Sequence, residues 1–171
     1  MNEAFHIITP EKIGNAIPLI SRDWLLITAG DRERANAMTA SWGSLGYLWN
    51  KPTLTCYIRP QRYTAGLVEE HERISFAVLD EKYRPALRLM GSKSGRDTDK
   101  FAAAGLTCDF DENGTPYVPQ ARLIFFCRKL YAARLEPDAF LDESLMINYP
   151  EHDFHRMYIC EIEQIWQKTQ D

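Results

Sequence analysis

Between Thr53 and Arg59 the chain alternates without a slip: Leu54, Cys56 and Ile58 fall on one side, Thr55, Tyr57 and Arg59 on the other, and Pro60 ends the run. A period of two is that of an extended strand with one face buried and the other meeting solvent or ligand. Other runs repeat the pattern. Trp24 to Thr28 is a short apolar strand entering a turn at Ala29-Gly30-Asp31, and Asn36 to Trp42 is its expected partner. That partner carries Met38, Ala40 and Trp42 on one face and Ala37, Thr39 and Ser41 on the other. Ile74 to Leu79 reads as strand, and Asp111-Glu-Asn-Gly114 is a turn between Thr107 to Phe110 and the extended run from Tyr117. Ala121 to Leu135 is long enough for a bent strand, and the last strand, His155 to Trp166, aligns Tyr158, Cys160, Ile162 and Trp166 on one face.

The remaining segments punctuate these strands. Pro10, Gly14 and Pro18 break any long helix in residues 1 to 23 and predict an arm lying against the domain. Thr64 to Glu72 has helical spacing at Leu67, Val68 and His71, with Thr64 as a cap. Tyr83 to Met90 predicts a helix closed by Gly91, and Thr98 to Ala104 a short one capped by Asp97 or Thr98 and stopped at Gly105. Glu136-Pro137 starts a minor helical turn. Gly43 and Gly46 loosen a stretch that ends in an aromatic loop, Tyr47 to Trp49, expected to be core or subunit contact. Strands and helices do not alternate as they would in a doubly wound parallel sheet, so a mainly antiparallel barrel with helical excursions fits better.

At 171 residues the chain is read as one domain, residues 1 to 171, large enough to bury roughly 70% of its unfolded surface. A net charge of -4 argues against a general nucleic-acid binder, although a local basic patch can hold one phosphorylated ligand. No apolar run is long enough to span a bilayer and no signal-peptide layout is present, so a cytoplasmic, membrane-free protein is expected. Cys56, Cys108, Cys127 and Cys160 are widely spaced and form no C-x-x-C, which fits buried free thiols. No metal centre is expected, although His152, Asp153 and His155 stand close together in sequence.

Glycine-rich nucleotide signatures and the G-x-S-x-G elbow are missing. What remains is a candidate phosphate seat. Arg59, Arg62 and Thr64 stand at a strand end leading into a helix, and Thr39 and Ser41 can add hydroxyls from a neighbouring strand. A phosphate monoester needs such charge-assisted donors and free backbone N–H groups at a helix start. Solvated surface arginines and strand hydroxyls that merely alternate are the bland alternative.

Asn36-Ala-Met-Thr-Ala-Ser-Trp42, Pro52, Arg62-x-Thr64, Phe76 and Ser94-Gly-Arg-Asp-x-Asp-Lys-Phe101 with Gly105-Leu-Thr107, taken in order, resemble the flavin reductase-like family of FMN-binding split barrels, near its flavoredoxin branch. The resemblance runs over residues 17 to 165. It implies a six-stranded antiparallel split barrel with short inserted helices, a homodimer, and one FMN per subunit near the dimer interface. Carried over by position, Met38, Thr39, Ala40, Ser41 and Trp42 would line the isoalloxazine ring. Arg59, Arg62 and Thr64 would hold the phosphate end, and Ser94, Gly95 and Lys100 would close over it, Lys100 as a counter-charge. The alternative for Lys100 is an exposed helix residue. His155 would lie near a nicotinamide, but the family's glycine-acid-histidine pattern is replaced here by Asp153-Phe-His155, which puts direct NAD(P)H use in doubt.

The implied chemistry is the cofactor's: hydride or electron transfer at the flavin N5, with the protein fixing the ring and tuning it. NADH, NADPH or a redox partner protein would supply electrons. Two other readings share the barrel: a non-catalytic flavin- or haem-binding module, and a pyridoxamine phosphate oxidase-like enzyme.

Overall fold

The computed structural model describes residues 4–169. In chain order the strands are β1 (Phe5–Ile7), β2 (Leu25–Gly30), β3 (Ala35–Ala40), β4 (Gly43–Leu48), β5 (Lys51–Ile58), β6 (Arg73–Val78), β7 (Asp109–Phe110), β8 (Pro116–Tyr117), β9 (Leu123–Arg134) and β10 (Arg156–Lys168). The helices are α1 (Ala16–Pro18), which runs on into a π-helical turn at Leu19–Asp23, α2 (Tyr63–Glu70), α3 (Arg84–Ser92) and α4 (Lys100–Ala104). All pairings are antiparallel, in the order β3-β2-β6-β9-β10-β5-β4, with β1 added to β10 and β7-β8 forming a separate ribbon.

The curvature of this sheet follows from its connectivity. β3 and β4 stand at opposite ends of the order, yet only Ser41 and Trp42 join them. Laid flat, seven strands would hold their outer members roughly 29 Å apart, whereas the link spans at most about 11 Å. The sheet must therefore curl until its ends meet. β3 and β4 do not pair there, so the barrel is split along this seam. The expected six-stranded barrel is the run from β3 to β5, extended by β4 and β1.

Period-two alternation sorts the core onto two sides. Leu25, Ile27, Phe76, Val78, Phe125, Cys127, Leu54, Cys56 and Ile58 fill the barrel interior. Their neighbours Leu26, Ala77, Ile124 and Phe126 point outward and are covered by Leu87 and Met90 of α3 and by Leu106 and Val118. The free thiols Cys56, Cys127 and Cys160 all lie within the barrel, fully buried, and burial raises the Cys127 thiol pKa.

Several boundaries differ from the sequence-based expectation. Tyr47 to Trp49 is not a loop. β4 runs through Leu48 and turns at Trp49 and Asn50, whose φ values of 52° and 57° are those of a primed two-residue hairpin turn. Trp166 leaves the face of Tyr158, Cys160 and Ile162, because a bulge between Ile162 and Gln164 reverses the alternation. Ile165 takes the interior position, and Trp166 packs outside on Phe126 with ring centroids 4.6 Å apart. The arm of residues 1 to 23 contributes β1 and α1; residues 1 to 3 lie outside the described residues. α3 continues past Gly91 to Ser92. α4 starts at Lys100 with Asp99 as its cap, and stops at Gly105 as expected, where φ is 64°. Thr64 does not cap α2, which begins one residue earlier, at Tyr63.

Candidate functional site

At the open end of β3 and β5, the segment Met38 to Trp42 meets Arg59, Arg62, Gly91 and His155 around a hollow of about 210 Å³. A second hollow of about 180 Å³ adjoins it, lined by Asn36, Arg62, Thr64, Ser94, Gly95 and Lys100. Arg62 borders both. All twelve residues singled out from the sequence thus line one continuous site, although they come from five parts of the chain.

Electrostatics distinguishes the two arginines. Arg59 is already engaged, with an ion pair to Asp153 and a hydrogen bond from Nη2 to the Asn148 carbonyl at 2.7 Å. Its guanidinium also sits 5.3 Å from the centre of the Tyr149 ring. Arg62 has no carboxylate partner among the described residues, and its side chain makes one long contact, 3.5 Å, to the Met90 carbonyl. Burial, then the charge of Arg59, lowers its pKa.

Lys100 is not an exposed helix residue. It is 3% exposed, and its Nζ donates to the Ala37 carbonyl at 2.6 Å and the Met90 carbonyl at 2.7 Å. The ammonium thus ties β3 to the end of α3, with no carboxylate among the described residues to balance it. Burial and the nearby Arg62 pull its pKa down to about 8. Two crowded cations without counter-ions form a site that favours an anion.

Local backbone geometry supports the same hollow. Arg62 is the N-cap of the eight-residue α2, so the helix start with its free N–H groups faces the hollow. Thr64 is buried and its Oγ1 accepts from Asn36 Nδ2 at 2.8 Å, which binds the helix start to β3. Gly95 lies against that pair: a Cβ there would come 2.5 Å from Asn36 Oδ1 and 2.6 Å from Tyr63 Cδ1. Only glycine allows the loop to approach this closely. Ser94 Oγ accepts from the Arg96 amide at 3.2 Å. On the outer face of β3, Thr39 Oγ1 donates to the Leu87 carbonyl at 2.6 Å.

His155 is buried, in hydrogen-bond contact with the Tyr149 hydroxyl through Nδ1 at 3.0 Å, with the Trp42 ring 5.0 Å away. Burial, then Arg59, pushes its pKa down to about 4, with Asp153 opposing, so the imidazole is neutral at pH 7. Sequence reasoning missed Tyr149 and Tyr57, which complete the site. Tyr149 lies in an irregular segment whose only sequence cue is its aromatic setting near Phe140 and Phe154. Tyr57 was legible as the outward-facing member of an alternating strand. Among the described residues no group of three or more His, Cys, Asp or Glu side chains could hold a metal ion.

The cleft at the seam of this antiparallel split barrel presents cations and helix amides on one side and aromatic side chains on the other. Residues 19–171 match the model of the flavin reductase like domain, and the chain belongs to that family. Similar solved structures include an FMN-binding domain of a flavin reductases-like enzyme from Shewanella baltica, with 18% identity, TM-score 0.70, and coverage of 96% of this chain and 77% of that one. The flavoredoxin of Methanosarcina acetivorans has 20% identity and TM-score 0.68, covering 95% and 77%. An NADH:FAD oxidoreductase from Streptomyces globisporus, solved with NAD and FAD fragments, has 14% identity and TM-score 0.64, covering 85% and 74%. A comparison with curated proteins finds no match.

Proposed function

We propose that this chain, acting as a single domain, binds FMN and transfers electrons through it, in the manner of a flavin reductase or a flavoredoxin. The observation that carries this reading is the pairing of Arg62 with Lys100, two half- or fully buried cations without carboxylate partners among the described residues, at the start of α2. A monophosphate ester satisfies this donor set: Arg62 offers a fork, Lys100 its remaining N–H, α2 its first amides, and the Ser94-Gly95 loop covers the end. Met38 to Trp42 would then line the ring. When bound, FMN supplies the hydride and electron chemistry at its N5.

The residues of this chain act on position and access. Thr39 and Lys100 hold β3 against α3, so the ring-lining strand cannot drift from the cationic end. The neutral His155, held by Tyr149, presents an uncharged edge beside Trp42, which suits contact with a nicotinamide. NADH, NADPH or a redox partner protein is the electron source in this reading. A cytoplasmic homodimer is part of the same proposal. Its support is an exposed aromatic patch in which Tyr47 is 72% and Trp49 54% exposed, with Trp49 leaning on Tyr131 across the sheet edge. No helix among the described residues is long and apolar enough to cross a membrane.

The test is the visible spectrum of the purified protein with added FMN, followed by anaerobic NADH and then NADPH. Uptake of FMN with bleaching by one nucleotide is expected of a reductase; uptake without bleaching assigns the carrier role. No uptake of FMN overturns the proposal.

A further inference from the structure

Beyond the seam, the ring-lining hollow opens into a larger cavity of about 640 Å³, sharing Ser41, Trp42 and Tyr57 with it. Ile17, Ile20, Leu45 and Leu135 form its walls. Its polar side-chain groups are hydroxyls and the Trp42 indole N–H, and among the described residues no Arg, Lys, Asp or Glu lines it. The hydroxyls of Ser41, Ser44 and Tyr57 have no hydrogen-bond partner within the described residues, while Tyr149 contacts His155 Nδ1 at 3.0 Å. The volume falls in the range of small-molecule sites. The lining offers no counter-charge, so an ionic group placed against the aliphatic walls would lose hydration without compensation. Planar aromatic ligands with one or two carbonyl oxygens match it: apolar faces against isoleucine and leucine, oxygens toward the hydroxyl row.

We infer that this cavity is the seat of the electron acceptor, and that the acceptor is an uncharged aromatic carbonyl compound of the quinone class, bound against the flavin. This rests on the FMN reading above. With His155 in its Nδ1–H tautomer, the Tyr149 hydroxyl accepts from it and donates to a quinone oxygen, which makes His155 a positioning residue for that contact. The step balances without another reagent. Reduced FMN gives up two electrons and two protons and is re-oxidised, and the quinone takes up both to become the hydroquinone.

The experiment is calorimetric titration of the oxidised, FMN-loaded protein with menadione and with a naphthoquinone sulfonate, which needs no turnover. Menadione is expected to bind at least about tenfold more tightly than the sulfonate. Ile17→Asp, at a position 75% exposed and outside the barrel core, is expected to weaken menadione by about tenfold with FMN still bound. Tyr149→Phe, which keeps the ring packing, is expected to lose several-fold in menadione affinity. Equal affinity for the two quinones, or an unchanged affinity in Ile17→Asp, overturns the inference while leaving the FMN reading standing. Menadione binding that disappears as the protein dimerises overturns it too, and assigns the cavity to subunit contact. Failure to take up FMN overturns both readings together.

Discussion

The two spaces that meet at Ser41 and Trp42 are built from opposite materials. On the α2 side, Arg62 and Lys100 crowd together and repel, and no carboxylate among the described residues neutralises them. On the α1 side, aliphatic walls and hydroxyls offer no charged side chain among the described residues. The missing counter-charge on one side and the unfilled space on the other add nothing to the stability of the barrel, even though Lys100 itself is held by two carbonyls. Unbalanced buried cations weaken a fold, and an apolar cavity forfeits packing. In the proposed reading, the contrast assigns phosphate to one side of the seam and an uncharged ring to the other.

The largest effect expected on breaking this contrast is from Lys100→Met. It leaves the Ala37 and Met90 carbonyls without their charged donor, which should cost about 3 kcal/mol of stability in urea unfolding. A loss within error would mean that the ammonium is not the tie between β3 and α3. Next is Arg62→Ala, expected to weaken FMN by about 1.5 to 3 kcal/mol. The ligand-free protein should melt no lower than the parent, because a desolvated cation has been removed. A drop in melting temperature with unchanged FMN affinity would make Arg62 structural.

Protonation sharpens the same comparison. Lys100 has a folded pKa of about 8, below its ordinary 10.5. Between those values the unfolded chain holds the proton and the folded one does not, so ligand-free stability should rise with pH across that window. FMN affinity should fall over the same rise as the counter-charge is lost. His155 obeys the same sign at lower pH. With its folded pKa near 4 against 6.5, stability should fall as pH drops from about 6.5 to 4, because the unfolded state takes up the proton first. His155→Ala should slow reduction by NAD(P)H by about tenfold, the worth of one hydrogen bond, with FMN retained. An unaffected rate removes the nicotinamide role. The smallest effect on FMN is expected for Arg59→Ala, below about 1.4 kcal/mol, since Arg59 is held by Asp153 and Asn148. A loss as large as that of Arg62→Ala would place both arginines on the phosphate.

Much of this was legible along the chain because strands declare themselves by period and stops by residue type. Leu54, Cys56 and Ile58 face inward as their alternation requires, and Gly105 ends α4 in the left-handed region. The ordered motif from Asn36 to Lys100 picked out residues that lie together around two adjoining hollows. Contacts between distant segments could not be read in this way. The bulge in β10 that turns Trp166 outward depends on pairing with β9, and the His155–Tyr149 contact depends on an irregular segment folding back over the seam.

The sequence by itself determined which residues carry charge, which alternate, and where turns must fall, since these are properties of neighbours along the chain. Only the tertiary structure decided that Arg59 is paired and Arg62 is not, that Lys100 is buried between two carbonyls, and that Gly95 must lack a side chain beside Asn36. Each of these is set by how far apart two segments lie after the sheet has curled, and curling is a consequence of joining its opposite edges by two residues.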